Sequence, residues 1–272
     1  MSSSGWAKAW PALPALVLLF AFFLYPVLRM LSFSVEAGTL DWYAKALGEG
    51  LYLQVFWNTF QIALIVMGVC LLLGYPLGFL IATTTPGWAT LGFIFVLLPL
   101  WTSVLVRTYA WMVLLGRNGV FNRLLLDAGV VSDPLPLLHN FTGVLIGMVH
   151  VLLPYMVLPV YGAVRRVDPA VVAAAAGLGA SNARIFWRIY LPLTLNGIFA
   201  GSVIVFVLSL GFFITPALLG GGHVMMIAVL IEQQVRETLN WPFAAALSAV
   251  LLVFTFAVYA LAQRFMRPEA QS

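Results

Sequence analysis

Few side chains here can do chemistry: three histidines, two lysines, one cysteine and nine carboxylates in 272 residues. His139 and His150 are eleven residues apart, about three turns along one helical face. At about 1.5 Å per residue they would stand about 16 Å apart, too far to share an ion. The H-E-x-x-H zinc pattern and the G-x-S-x-G serine elbow are both missing. Lys8 and Lys45 each stand between alanines, so no Gly-Lys-Ser/Thr phosphate loop exists. If ATP drives this chain, another chain holds the ATP. No Asp or Glu falls well inside an apolar run, which argues against proton- or sodium-coupled transport. An ion-coupled secondary transporter is therefore the alternative reading, and an enzyme is not expected. Cys70 lies in an apolar run and reads as a small packing residue.

The elements that must position these residues are spelled in hydrocarbon. Hydrophobic residues make up 63% of the chain and charged ones 8%. Soluble domains average roughly 25% charged, so this is an integral, all-α membrane protein. Its thirteen Lys and Arg residues form no long basic run, which argues for membrane topology and against nucleic acid. Six segments are long and apolar enough to span: about 10–32, 56–83, 89–115, 141–164, 193–219 and 243–266. The first is too long for a cleaved signal core and reads as a retained span. Pro26, Pro76, Pro99, Pro154, Pro159 and Pro216 predict kinks, since membrane helices tolerate proline. No linker divides the chain, so 1–272 reads as one transmembrane domain.

Basic residues set the orientation. One side holds Lys8, Arg165, Arg166, Arg184, Arg188, Arg264 and Arg267 against two acids, Asp168 and Glu269. The other holds six basic residues against seven acids. The first side, with both termini, reads as cytoplasmic. On the other side, "NGVFNRLLLDAG" and "MMIAVLIEQQVRETLNW" are amphipathic and suit the interface. They would cap an outer surface on which another protein could sit.

Residues 165–192 form the one substantial cytoplasmic loop. Asp168-Pro169 is a helix start, with Asp as N-cap and Pro at the first helical position. Ala170 to Ala176 make a smooth short helix that Gly177 and Gly179 terminate. Ser181 or Asn182 caps a second helix through about Tyr190, with Pro192 at the entry to span five. The alanines let a partner backbone come close, and Phe186 and Trp187 can fill a partner's groove. From the residues alone, a docking surface and a plain interfacial anchor both fit.

The run "AAAAGLGAS…FWRIYLPLTLNGI" resembles the EAA loop of ABC importer permeases. Ala173, Ala174, Ala175 and Gly179 match that frame, as do Ile189, Leu191 and Pro192. The family's glutamate falls at Ala173. The runs "LLPLWTSVLVRTYAWMVLLGRNG", "VLLPYMVLPVY", "VDPAVVAAAAGLGAS" and "LGFFITPALLGG" are similar, in that order, to the spermidine/putrescine-type permeases. The resemblance implies a type I ABC importer permease fold with a cytoplasmic coupling helix in a bacterial inner membrane. It implies a second permease subunit in a heterodimer, two ATPase subunits carrying ATP and magnesium, and a periplasmic binding protein. ATPase docking is expected at Ala173, Ala174, Ala175, Gly179, Ala180, Ser181, Arg184, Phe186 and Arg188, with Arg184 or Arg188 supplying the polar link that Ala173 lacks.

The expected substrate pathway is Trp101, Thr102, Arg107, Tyr109, Trp111, His150 and Phe212. Arg107 reads either as a snorkelling residue near the outer end of span three or as a gating or anion contact. His150 reads as a packing histidine or a lining one, and the ring residues fit an aromatic belt. A polyamine site needs carboxylates, with aromatic faces adding cation–π attraction. The family commonly has an aspartate where this chain has Phe212. The expected solute is therefore a small nitrogen-containing one: a polyamine, as the resemblance implies, or, because an Arg and a His with no carboxylate fit an acidic group, an amino-acid derivative, an opine or an aminophosphonate.

Overall fold

A computed structural model describes residues 13–35 and 40–266, which are helical throughout their ordered elements and contain no strand. Lys8, Arg267, Glu269 and the expected first residues of span one, Trp10 to Ala12, lie outside them. In chain order the helices are α1 (Leu13–Val35), α2 (Asp41–Gly48), α3 (Gly50–Thr83), α4 (Pro86–Trp101), α5 (Val104–Leu115) and α6 (Val120–Asp127). Then come α7 (Phe141–Arg165), α8 (Pro169–Gly177), α9 (Asn182–Leu210), α10 (Ile214–Gly220), α11 (Ile227–Arg236) and α12 (Trp241–Met266). Five helices are long and apolar enough to cross a membrane, and six do so if the bent α4–α5 run counts as one span.

The described residues form two compact units, those up to 53 with 231–253, and 54–230 with those from 254 onward. In the first, Phe243 is fully buried against Trp42 and Tyr52, and Lys45 Nζ lies 5.1 Å from its ring centroid. Ser34 Oγ and the Tyr43 hydroxyl hydrogen-bond at 2.7 Å.

The second unit is organised on α7, the most buried span. Buried Met148, Leu152, Met156 and Val160 line its core-facing stripe. Helices approach it closely because glycines recur four apart at the crossings: Gly74 and Gly78 on α3, Gly197 and Gly201 on α9. A Cβ on Gly197 would lie 2.4 Å from Ala163 Cβ and 2.7 Å from the Pro159 carbonyl. Such pairs let backbones meet where lipid supplies no hydrophobic drive.

Two spans differ from the kinked but continuous helices expected. Span three breaks after Trp101, and Val104–Asp127 departs from α4 by 104°. Thr102 and Ser103 are extended there, with Thr102 Oγ1 donating to the Pro99 carbonyl at 3.0 Å. Span five ends at Leu210 and resumes at Ile214, with Phe212 in the gap. At its start it is longer than expected. Pro192 does not interrupt it, because the preceding turn widens to π geometry at Phe186–Tyr190, Leu191 N–H donating to the Phe186 carbonyl. The same device precedes Pro26, where Phe20–Leu24 is the wide turn. A proline ring collides with the carbonyl four residues back, and the extra residue of a π turn moves that carbonyl aside.

Candidate functional site

The first candidate surface is α8 and the start of α9. Asp168 caps α8 by accepting from Ala170 N–H at 2.8 Å, and Pro169 occupies the first helical position. The helix ends in a Schellman motif: Gly179 N–H donates to the Ala176 carbonyl and Ala180 N–H to that of Ala175, both at 3.0 Å. Gly179 makes this turn at φ +80°, while Gly177 stays helical, so one glycine terminates α8. Ser181 caps α9 through Arg184 N–H.

No residue of α8 is buried. Ala173, Ala174, Gly179, Ser181, Arg184 and Arg188 are exposed, and Ala175 and Ala180 half-buried. Phe186 corrects the expectation that it fills a partner's groove. Its ring turns inward against Phe79 (centroids 5.3 Å) and Tyr75 (5.9 Å), because the π turn rotates it onto α3. Trp187, 65% exposed, is the outward ring.

The second candidate is where the two broken spans meet. Phe93 on α4 stacks edge-on against Tyr161 of α7 at 4.5 Å, and Val96 packs on Val157. The helices run antiparallel, so the break at Thr102–Ser103 reaches about the level of His150 to Leu152, close to halfway along α7. Beyond it α5 packs on α7 and α10. Trp111 Nε1–H donates to His150 Nδ1 at 3.1 Å, which puts the imidazole proton on Nε2. Thr108 and Thr215 hydroxyls lie 3.2 Å apart across the α5–α10 contact.

Arg107 stands in the first turn of α5 and is 9% exposed. Its Nε and Nη1 are buried without a hydrogen-bond partner. A snorkelling side chain would reach out to the surface, whereas the break in span three turns this one in against the protein. His150 and Tyr155 lie within electrostatic range of it. Tyr155 escaped the sequence reading; its one signal is a place five residues beyond His150 in the same apolar run. Trp101 and Tyr109, 90% and 55% exposed, do not join the cluster. Thr102 and Phe212 occupy the two breaks. Among the described residues no group of His, Cys, Asp and Glu could hold a metal.

An all-helical membrane chain with two interrupted spans whose broken ends pack on each other, and one bare capped helix, has the make-up of a solute permease. Residues 3–267 match the model of the family "Binding-protein-dependent transport system inner membrane component", and the chain belongs to that family. It is similar to the spermidine/putrescine transport system permease protein PotB of Haemophilus influenzae, 37% identical over 224 residues, 81% of this chain and 78% of that one. To PotB of Escherichia coli K12 it is 33% identical over 270 residues, 98% of this chain and 97% of the relative. Its fold is that of a chain in a crystal structure of a bacterial alginate ABC transporter in complex with alginate pentasaccharide-bound periplasmic protein. The TM-score is 0.75 at 19% identity, covering 96% of this chain and 94% of that one. The protein is thus the transmembrane permease subunit of an ATP-driven importer in an inner membrane, and the secondary-transporter reading finds no support.

Proposed function

We propose that this permease forms half of a translocation pathway for a small nitrogen-containing solute, paired with a different permease subunit, and is driven through α8. Both termini and α8 face the cytoplasm. ATP and magnesium bind two ATPase subunits, and a periplasmic binding protein delivers the solute. The observation that carries this reading is the Schellman-capped alanine helix with no buried residue. A nine-residue helix that buries nothing of its own needs a partner to make its order useful. Alanines allow the partner's backbone close, and exposed Arg184 and Arg188 offer charge where Ala173 has none. The solute class is supported by the polyamine permeases named above.

Co-expression of this chain with the neighbouring permease and ATPase genes tests it. The chain is expected to retain the ATPase on an affinity column, and proteoliposomes of the complex to import solute only with ATP inside. Uptake by this chain alone, driven by an ion gradient, would overturn the reading.

A further inference from the structure

Among the described residues the spans bury one arginine, Arg107, and hold no Asp or Glu. Arg107 is more than nine-tenths buried, with Nε and Nη1 unpartnered. The sequence has no Asp or Glu between Glu49 and Asp127, between Asp133 and Asp168, or between Asp168 and Glu232. Among the described residues the one ion pair is Arg236 with Glu232. The spans therefore cannot supply Arg107 with a counter-charge.

The surrounding groups are the neutral Tyr155 phenol and otherwise donors or positive dipole. Arg107 lies in the first turn of the twelve-residue α5, whose N-terminus opens at the break in span three. Ser103 makes no side-chain cap there, so first-turn N–H groups point into the gap. Long helical side chains lean toward their own N-terminus, which aims the guanidinium at the same place. His150 accepts from Trp111 at Nδ1 and so keeps a donor at Nε2. Interrupted membrane helices that present an N-terminus at mid-depth are suited to anionic groups.

We propose that Arg107 and the N-terminal turn of α5 form an anion subsite on the translocation pathway. The solute is then an amine that also bears a carboxylate or phosphonate. The subsite rests on the importer reading above and narrows its solute class. The acidic end docks on the Arg107 fork, and the ammonium end is left to aromatic faces such as Trp111, by cation–π attraction.

The test uses the whole importer in proteoliposomes with its binding protein, and three probes: 4-aminobutyrate, 2-aminoethylphosphonate and putrescine. The acidic amines are expected to be imported in preference to putrescine. Arg107→Gln is expected to lower the ratio of acidic-amine to putrescine uptake by about 10- to 100-fold, the worth of a charge-assisted hydrogen-bonded pair. Arg107→Lys keeps the charge, loses the fork and is expected to fall between. A ratio taken within one preparation does not depend on yield. Import of putrescine with the ratio unchanged in Arg107→Gln overturns the subsite. So does loss of the second permease subunit from the Arg107→Gln complex on gel filtration, which would assign the counter-charge to protein. If the complex hydrolyses ATP in response to its binding protein but imports none of the probes, the amine solute class falls, and the subsite with it. If ATP hydrolysis ignores the binding protein, the importer reading itself falls.

Discussion

Gly179 isolates the contribution of a single torsion angle. It holds φ +80° at the end of α8, and nothing lies within 4 Å of where a Cβ would be. A substitution there meets no atom of this chain, so its cost is conformational. For an ordinary L-residue the left-handed region costs about 1–2 kcal/mol, with Asn at the low end and β-branched residues at the high end. A helix as short as α8 has no stability of its own to offset this, and its two terminal hydrogen bonds depend on that turn. About 1–2 kcal/mol is a factor of about 5–30 in the population of the ordered turn. Binding-protein-stimulated ATPase activity and uptake, measured side by side in proteoliposomes, are expected to fall by that factor for Gly179→Val. Gly179→Ala is expected to lose less, and Gly179→Asn to stay within a few-fold of the parent. Membrane insertion and yield are expected to be unchanged, since α8 buries nothing. An Asn variant as defective as the Val variant would refute the torsional argument and point to crowding against the partner. A Val variant that couples normally would remove α8 from the coupling path.

Other substitutions separate packing from docking. Phe186→Ala opens the ring cluster with Phe79 and Tyr75 and is expected to cost about 2–3 kcal/mol, read as a lower Tm in detergent. Trp187→Ala, one residue on, loses only an edge contact with the Phe186 ring and is expected to lower Tm far less, while weakening retention of the ATPase. Gly197→Ala drives a methyl into Ala163 Cβ and the Pro159 carbonyl and is expected to cost about 1–3 kcal/mol. Adding Ala163→Gly should restore only part of that, because the carbonyl remains.

The spans were legible because hydrocarbon runs of about 20 residues leave little choice in a membrane. Asp168, Pro169 and Ser181 gave both helix starts, since caps depend on local atoms. The breaks were not legible. Pro76, Pro154 and Pro159 stay inside continuous helices, whereas the spans part near Pro99 and Pro216. What distinguishes these sites is tertiary: α5 and α10 pack on each other and on α7 after leaving the rod direction. The position of Arg107 follows from that bend, which the residues around it do not spell. The spaced glycine pairs were a readable signal of the α3–α7–α9 crossings. Phe186 misled because helical spacing alone does not include the extra residue of a π turn.

The continuity of α9 has a mechanical meaning. Its 29 residues run unbroken from the Ser181 cap beside α8 to the gap that holds Phe212. At about 1.5 Å per residue that is a rod about 43 Å long. Tilted by about 5°, such a rod displaces its far end by about 4 Å, a figure that follows from its length alone. The exposed loop and the gap at Phe212 are therefore the handle and tip of one lever, and a push at one end reaches the other without passing through a chain of side-chain contacts.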